Sequence, residues 1–249
     1  MKFKLYFFLL NILVFNFINA QNFYQITYSE KIDFDNVSPV IRYYDLYINN
    51  SESLYIENKN LKDYISKHSN KGEVNLTKEK SSNQSTFYLN RNNNDFYINS
   101  FINNENNYLV KDIFKHNWNI TSETKVILKQ KCQKATTTFR GRNYTVWFST
   151  EIKYPYGPWK INNLPGIVLE LYDDQNFFTV KAIEIIKNDI DVIPALINEL
   201  DFSKNISLEE YNIKVEEKNQ EILERIRKIN PNFKLEKDCE TCNKKLEIF

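Results

Sequence analysis

The chain has 249 residues, with 33 lysines and arginines against 32 aspartates and glutamates and a formal net charge of +1. So balanced a charge supplies no field to gather polyanions, and no basic stripe interleaved with aromatics occurs, which argues against nucleic acid as a partner. Only 4 Gly and 6 Pro are present while Asn, Lys, Ile and Tyr abound, a usage that reflects AT-rich coding and carries no function.

The chain opens on Met1-Lys2-Phe3-Lys4, continues with an apolar run over 5–18 broken only by Asn11 and Asn16, and reaches Ile18-Asn19-Ala20 before the polar Gln21-Asn22. A positive start, a short apolar run and a small residue before a polar stretch predict a cleavable secretory signal over 1–20, cut between Ala20 and Gln21. The run is shorter than the ~20 residues a spanning helix needs, and no later window is apolar enough to take that role. Gln21 follows the cut in place of the Cys of a lipid anchor. The expected product is one exported, strand-rich domain over 21–249, large enough for a single core.

Alternation of apolar and polar residues predicts strands at 23–32, 41–48 and 53–57. The polar stretch 58–85, which holds His68 and several lysines, has no period and predicts a long loop with at most one short helix near 61–65. Strands resume at 86–90, 95–102 and 107–114 with Asn-rich turns between them. They continue at 125–128, 131–139, 142–152, 167–172 and 177–186, with connections too short for crossover helices, so an antiparallel meander is expected. Residues 193–202 predict a short helix with Pro194 in its first turn. A second helix is predicted over 207–229, because Ser207 and Glu210 form a capping box and Pro231 supplies the stop. Leu208, Tyr211, Val215, Ile222, Ile226 and Ile229 fall on one face of it, which should cover the domain's own sheet; clean heptads are too few for a coiled coil. The expected fold is mainly β: a curved antiparallel sheet or open half-barrel with one long amphipathic helix and a Cys-containing tail.

Residues 131–173 differ from the rest. Three of the 4 glycines, Gly141, Gly157 and Gly166, fall there, which predicts backbone at positive φ or in close approach. Leu164-Pro165-Gly166 predicts a type II turn that delivers Ile167 into a buried strand. The segment carries Cys132-Gln133-Lys134-Ala135, Trp147-Phe148, Glu151-Ile152, Gly157-Pro158-Trp159 and Asn163-Leu164-Pro165-Gly166-Ile167-Val168 in that order, after Trp118-Asn119-Ile120. In these elements the chain resembles the GLPGLI family of exported Bacteroidetes proteins over 118–186, with Trp147, Gly157, Pro158, Leu164, Pro165 and Gly166 as the motif positions and Asn163 where the family usually has Gly. The resemblance implies a location in the periplasm or cell envelope of a Gram-negative bacterium and carries no established activity with it.

Chemistry-bearing patterns are few. His68 and His116 are the only histidines, and no nucleophile elbow, His-Glu-x-x-His helix or phosphate-cradling loop occurs. Cys132, Cys239 and Cys242 admit a bridge from Cys132 to either tail cysteine, worth about 4–5 kcal/mol by loop closure, or a local Cys239–Cys242 pair without the βαβ setting of thiol-exchange enzymes. No spacing recommends a metal site. Glu151, Glu170, Asp173 and Asp174 read as strand-end carboxylates, and Trp147, Phe148, Tyr154, Tyr156 and Trp159 as core aromatics or the wall of a groove. No catalytic, cofactor-binding or metal residues are therefore predicted. The function expected is a non-catalytic binding or carrier module that holds an apolar ligand, a peptide or an outer-membrane protein on a concave face lined by Trp147 and Trp159. The alternatives are an envelope assembly component, a thiol-exchange enzyme using Cys239 and Cys242, or a hydrolase using Glu151 and Glu170.

Overall fold

A computed structural model describes residues 23–34, 38–59, 84–102, 106–198, 200–231 and 233. The expected signal over 1–20, the short helix expected near 61–65, His68, Cys239 and Cys242 lie outside the described residues.

Among the described residues, twelve strands form one open sheet. In chain order they are β1 (Phe23–Ile32), β2 (Val40–Ile48), β3 (Glu52–Glu57), β4 (Thr86–Asn90), β5 (Asp95–Ile102), β6 (Asn106–Asp112), β7 (Asn119–Ile127), β8 (Gln130–Phe139), β9 (Arg142–Ser149), β10 (Ile167–Asp173), β11 (Phe178–Asn188) and β12 (Asn205–Ser207). The spatial order is β12-β6-β5-β4-β3-β2-β1-β11-β10-β9-β8-β7. It is two meanders joined where β1 pairs with β11. Every pairing is antiparallel except β12 on β6, an edge strand of three residues that periodicity does not reveal. The mainly β expectation holds, with β7 beginning six residues earlier than its apolar pattern suggests.

The sheet is strongly curled. Neighbouring strands lie about 4.8 Å apart, so a flat sheet would put β6 and β8, nine places apart in the order, roughly 43 Å from each other. Instead Arg140, just past β8, donates to Asp112 at the end of β6 at 2.6 Å. The sheet thus curves nearly onto itself without closing its hydrogen-bond ladder.

Period-two alternation gives the curl an inner and an outer face. Ile26, Leu46, Tyr55, Phe87, Ile98 and Val110 are successive cross-strand neighbours on the inner face, and all but the half-buried Phe87 are buried. On the outer face, helix α1 (Ile193–Ile197) covers β3 and β4 by setting Ile193 against Leu54 and Tyr88, and Phe202 stacks edge-on to Tyr88 and Tyr97. The helix predicted over 193–202 is therefore one short turn followed by a 3₁₀ turn at Phe202–Lys204.

Helix α2 (Leu208–Ile229) begins as its capping box requires, with the Ser207 hydroxyl accepting from Glu210 N at 3.0 Å. Its docking is less than the apolar stripe predicts. Leu208 and Tyr211 pack on the core, and the Tyr211 hydroxyl donates to Phe101 O at 3.2 Å, but no α2 residue is fully buried and Ile229 is 86% exposed. Only the first turns cover the sheet, because β12 and β6 present an edge too narrow for a helix about 33 Å long.

Candidate ligand groove on the outer face

The concave face is not a cavity. Residues 150–166, between β9 and β10, fold into it as a plug whose Ile152, Tyr156, Trp159, Ile161 and Leu164 are all buried. Trp159 meets Phe139, Tyr144 and Phe178 from three inward-facing strands, with ring centroids 5.3–5.9 Å apart. The plug is tied to the sheet by Val168 N donating to Tyr156 O at 3.0 Å and Ile167 N to Ile152 O at 3.1 Å. Trp118 Nε1 donates to Asn162 O at 2.9 Å, and the Tyr28 hydroxyl donates to Val168 O at 2.6 Å.

The motif residues are explained by this plug. A Cβ on Gly166 would lie 2.0 Å from Ser149 O, and one on Gly157 would lie 2.9 Å from Val168 Cβ. Among the glycines in this segment, Gly141 alone takes a positive φ, 75°. Leu164-Pro165-Gly166 is therefore not a type II turn, which demands positive φ at its glycine; Gly166 is dictated by close approach to β9. Left-handed backbone falls instead on Trp159 (φ 56°) and Asn163 (φ 65°), and Asn is among the residues that tolerate that region best. Leu164 and Pro158 are buried, while Pro165 is exposed.

A buried polar latch pins the plug where the sheet curls round. Asp112 accepts from Arg140 Nη1 at 3.0 Å and Nη2 at 2.6 Å and from Lys160 Nζ at 2.7 Å. Burial raises the Asp112 carboxyl, but the hydrogen bonds from Arg140 and the charge of Lys160 outweigh it and hold it below the usual carboxylate range. His116 Nε2 lies 2.9 Å from Lys160 O, and burial pushes its pKa down, so the ring is neutral and donates from Nε2. In the sequence His116 stands out only as one of two histidines, and nothing there reveals the latch, whose members come from three stretches of the chain, 112–116, 140 and 160.

Other sequence-derived candidates are scattered. Cys132 is buried and forms no disulfide among the described residues, and burial pushes its thiol up to about 11. Glu151 is exposed and accepts from Lys131 N at 3.1 Å, whereas Asp173 is buried against Arg142 at 2.8 Å, and neither is among the residues that line the groove around Glu170. Glu30, unnoticed in the sequence, is buried on the inner face opposite Arg42, and burial raises it to about 7 despite that guanidinium.

The expected concave wall of Trp147 and Trp159 is corrected by alternation along β9. Tyr144, Val146 and Phe148 point inward, so Trp147 stands on the outer face, across the sheet from Trp159. There it floors a groove of about 770 Å³ on the half of the outer face that α1 leaves bare. Cross-strand neighbours build it: Trp147 beside Glu170, Glu170 beside Lys181, Lys181 beside Ser29. Tyr172, Thr179, Lys31 and Ile41 form the next row. Lys125 reaches over from β7, its Nζ 4.3 Å from the Trp147 ring centre, and pairs with Glu170 Oε2. Lys181 Nζ lies 3.7 Å from Glu170 Oε1. Ile183 and Asn176 complete the rim. Among the described residues no cluster of acidic, His and Cys side chains is placed to hold a metal, and no helix is long and apolar enough to cross a membrane.

Comparison with solved structures places this architecture. PNGF-II, in its C2 and P21 crystal forms, superposes with a TM-score of 0.56 over 80% of this chain at 21% identity. The chain spans about a third of PNGF-II, 33% and 34% of the two chains. A LolA superfamily protein from Nitrosomonas europaea aligns over 73% of this chain and 90% of its own at 9% identity, with a TM-score of 0.31, too low to equate the folds. No curated protein matches. The family model described as "N-glycanase peptide, N-terminal domain" matches residues 41–223, more than half of the sequence, and the chain belongs to that family.

Proposed function

We propose that the protein is an exported, non-catalytic binding module of the cell envelope, of the GLPGLI type by its motifs, and that it holds the saccharide part of glycoproteins in the outer-face groove. The observation that carries this reading is the contrast between the two faces: the concave side is filled by its own plug, whereas the outer side keeps a ligand-sized groove with aromatic, hydroxyl, amide and charged lining. Such mixed lining fits a small-molecule site and disfavours the apolar ligand that the aromatic cluster suggests in the sequence. Membership of the N-glycanase N-terminal family supports a saccharide as the ligand. Glu170, the one carboxylate in the groove, is engaged by two ammonium groups, which suits it to fixing geometry better than to acid–base work.

Binding should therefore discriminate between an N-glycosylated glycoprotein and the same protein stripped of its glycans. By calorimetry on the mature chain, Trp147→Ala should weaken binding to the glycosylated form about tenfold or more, as expected for losing an anchoring aromatic. Equal binding of the two forms, or binding that survives Trp147→Ala, would refute the reading.

A further inference from the structure

The donors and acceptors of the groove are unequal. Its one carboxylate is spent, because Glu170 Oε2 is held by Lys125 and Oε1 faces Lys181. Among the charged groups of the groove, the capacity that remains is on the donor side. An ammonium carries three donors, and Lys181 and Lys31 both reach into solvent, with side chains 62% and 43% exposed. Trp147 is 8% exposed, and its indole N–H has no hydrogen-bond partner among the described residues. That N–H is shielded from solvent, so the donors a ligand can reach are the two exposed ammonium groups.

Charge points the same way. Among the described residues three lysines and one glutamate line the groove, and with Asp33 beside Lys31 offsetting part of that excess their balance is positive in a protein whose overall charge is nearly zero. Apolar side chains, Ile41 and Ile183, flank the cations. The complement of this lining is an acceptor-rich, negatively charged molecule with an apolar edge.

Resting on the saccharide-binding reading above, we propose that the groove selects carboxylate-bearing saccharides, with Lys31 and Lys181 receiving the carboxylate. The test is calorimetry on the mature chain with a sialylated biantennary N-glycan and its desialylated counterpart, each at low and at 0.3 M salt. The sialylated glycan should bind about tenfold or more tightly, the worth of a hydrogen bond to a charged group, and the advantage should shrink at high salt through screening. The double variant Lys31→Ala/Lys181→Ala, which alters side chains 43% and 62% exposed, should erase the advantage, so that the two glycans bind with equal affinity. Equal affinity for the two glycans overturns this selectivity and leaves the saccharide reading standing. Binding of neither overturns both.

Discussion

Gly166→Ala should be the most damaging single-methyl change in the molecule. The added carbon would sit 2.0 Å from Ser149 O, 2.6 Å from Ser149 C and 3.0 Å from Thr150 Cα. All three are backbone atoms, so no side chain can rotate to relieve the clash. The strand end of β9 or the start of β10 must move, and either displaces the plug from the inner face. A loss of about 4 kcal/mol or more is expected, at the extreme of single-substitution effects. In a domain of this size that corresponds to a fall of roughly 8–16 °C in Tm. Gly141→Ala is the control: its φ of 75° makes an added Cβ cost only about 1–2 kcal/mol. Thermal melts that rank the two equally would mean that the plug does not approach β9 as closely as described.

Removing the latch carboxylate should cost nearly as much. Asp112 neutralises two cations buried where opposite ends of the sheet meet, and breaking a buried pair by deleting one partner costs about 3–5 kcal/mol. Asp112→Asn keeps the shape and loses the charge, so it should destabilise by a similar amount in urea titrations. The pH dependence has a definite sign. Because the folded carboxyl lies below its unfolded value of about 3.9, the contribution is present above that value and is lost only as pH falls through the folded pKa. The difference between wild type and Asp112→Asn should thus be constant between pH 5 and 9 and narrow below pH 4. Replacing Asp112 together with one of its two cations, Asp112→Asn with Lys160→Met, should recover part of the loss, since an apolar substitute removes a desolvated charge.

The architecture was largely legible because each strand is short, bounded by Asn-rich turns and patterned with period two, and because spacings too short for helices leave only a meander. What periodicity could not supply was curvature. Whether β9 presents Trp147 or Val146 to the core depends on which side of the sheet the chain later fills, and that is decided by the plug. The same sequence feature, a concentration of glycine around Gly157-Pro158-Trp159 and Leu164-Pro165-Gly166, marked the plug as unusual yet suggested a turn beside a binding wall. Its glycines serve close packing, so the motif reads as core architecture, and the candidate ligand site lies on the opposite face. The latch was illegible for another reason: Asp112, His116, Arg140 and Lys160 are ordinary surface-type residues in sequence, and only the near-closure of the sheet buries them together. The apolar stripe of α2 predicted a cover for the sheet, but length and stripe do not say how wide an edge the helix will meet.

The claim on which the functional reading rests is that the concave face is occupied by residues 150–166 and is not open to a ligand. Hydrogen–deuterium exchange of the full chain tests it directly, because the amides of Ile161, Asn163, Ile167 and Val168 are all hydrogen-bonded in or around the plug. They should exchange as slowly as the central strands β9–β11, the behaviour of a cooperatively folded core. Exchange as fast as that of the exposed turn at 91–94 would mean that the plug is a surface loop, that the concavity is available, and that a carrier holding its ligand on the inner face is the better description.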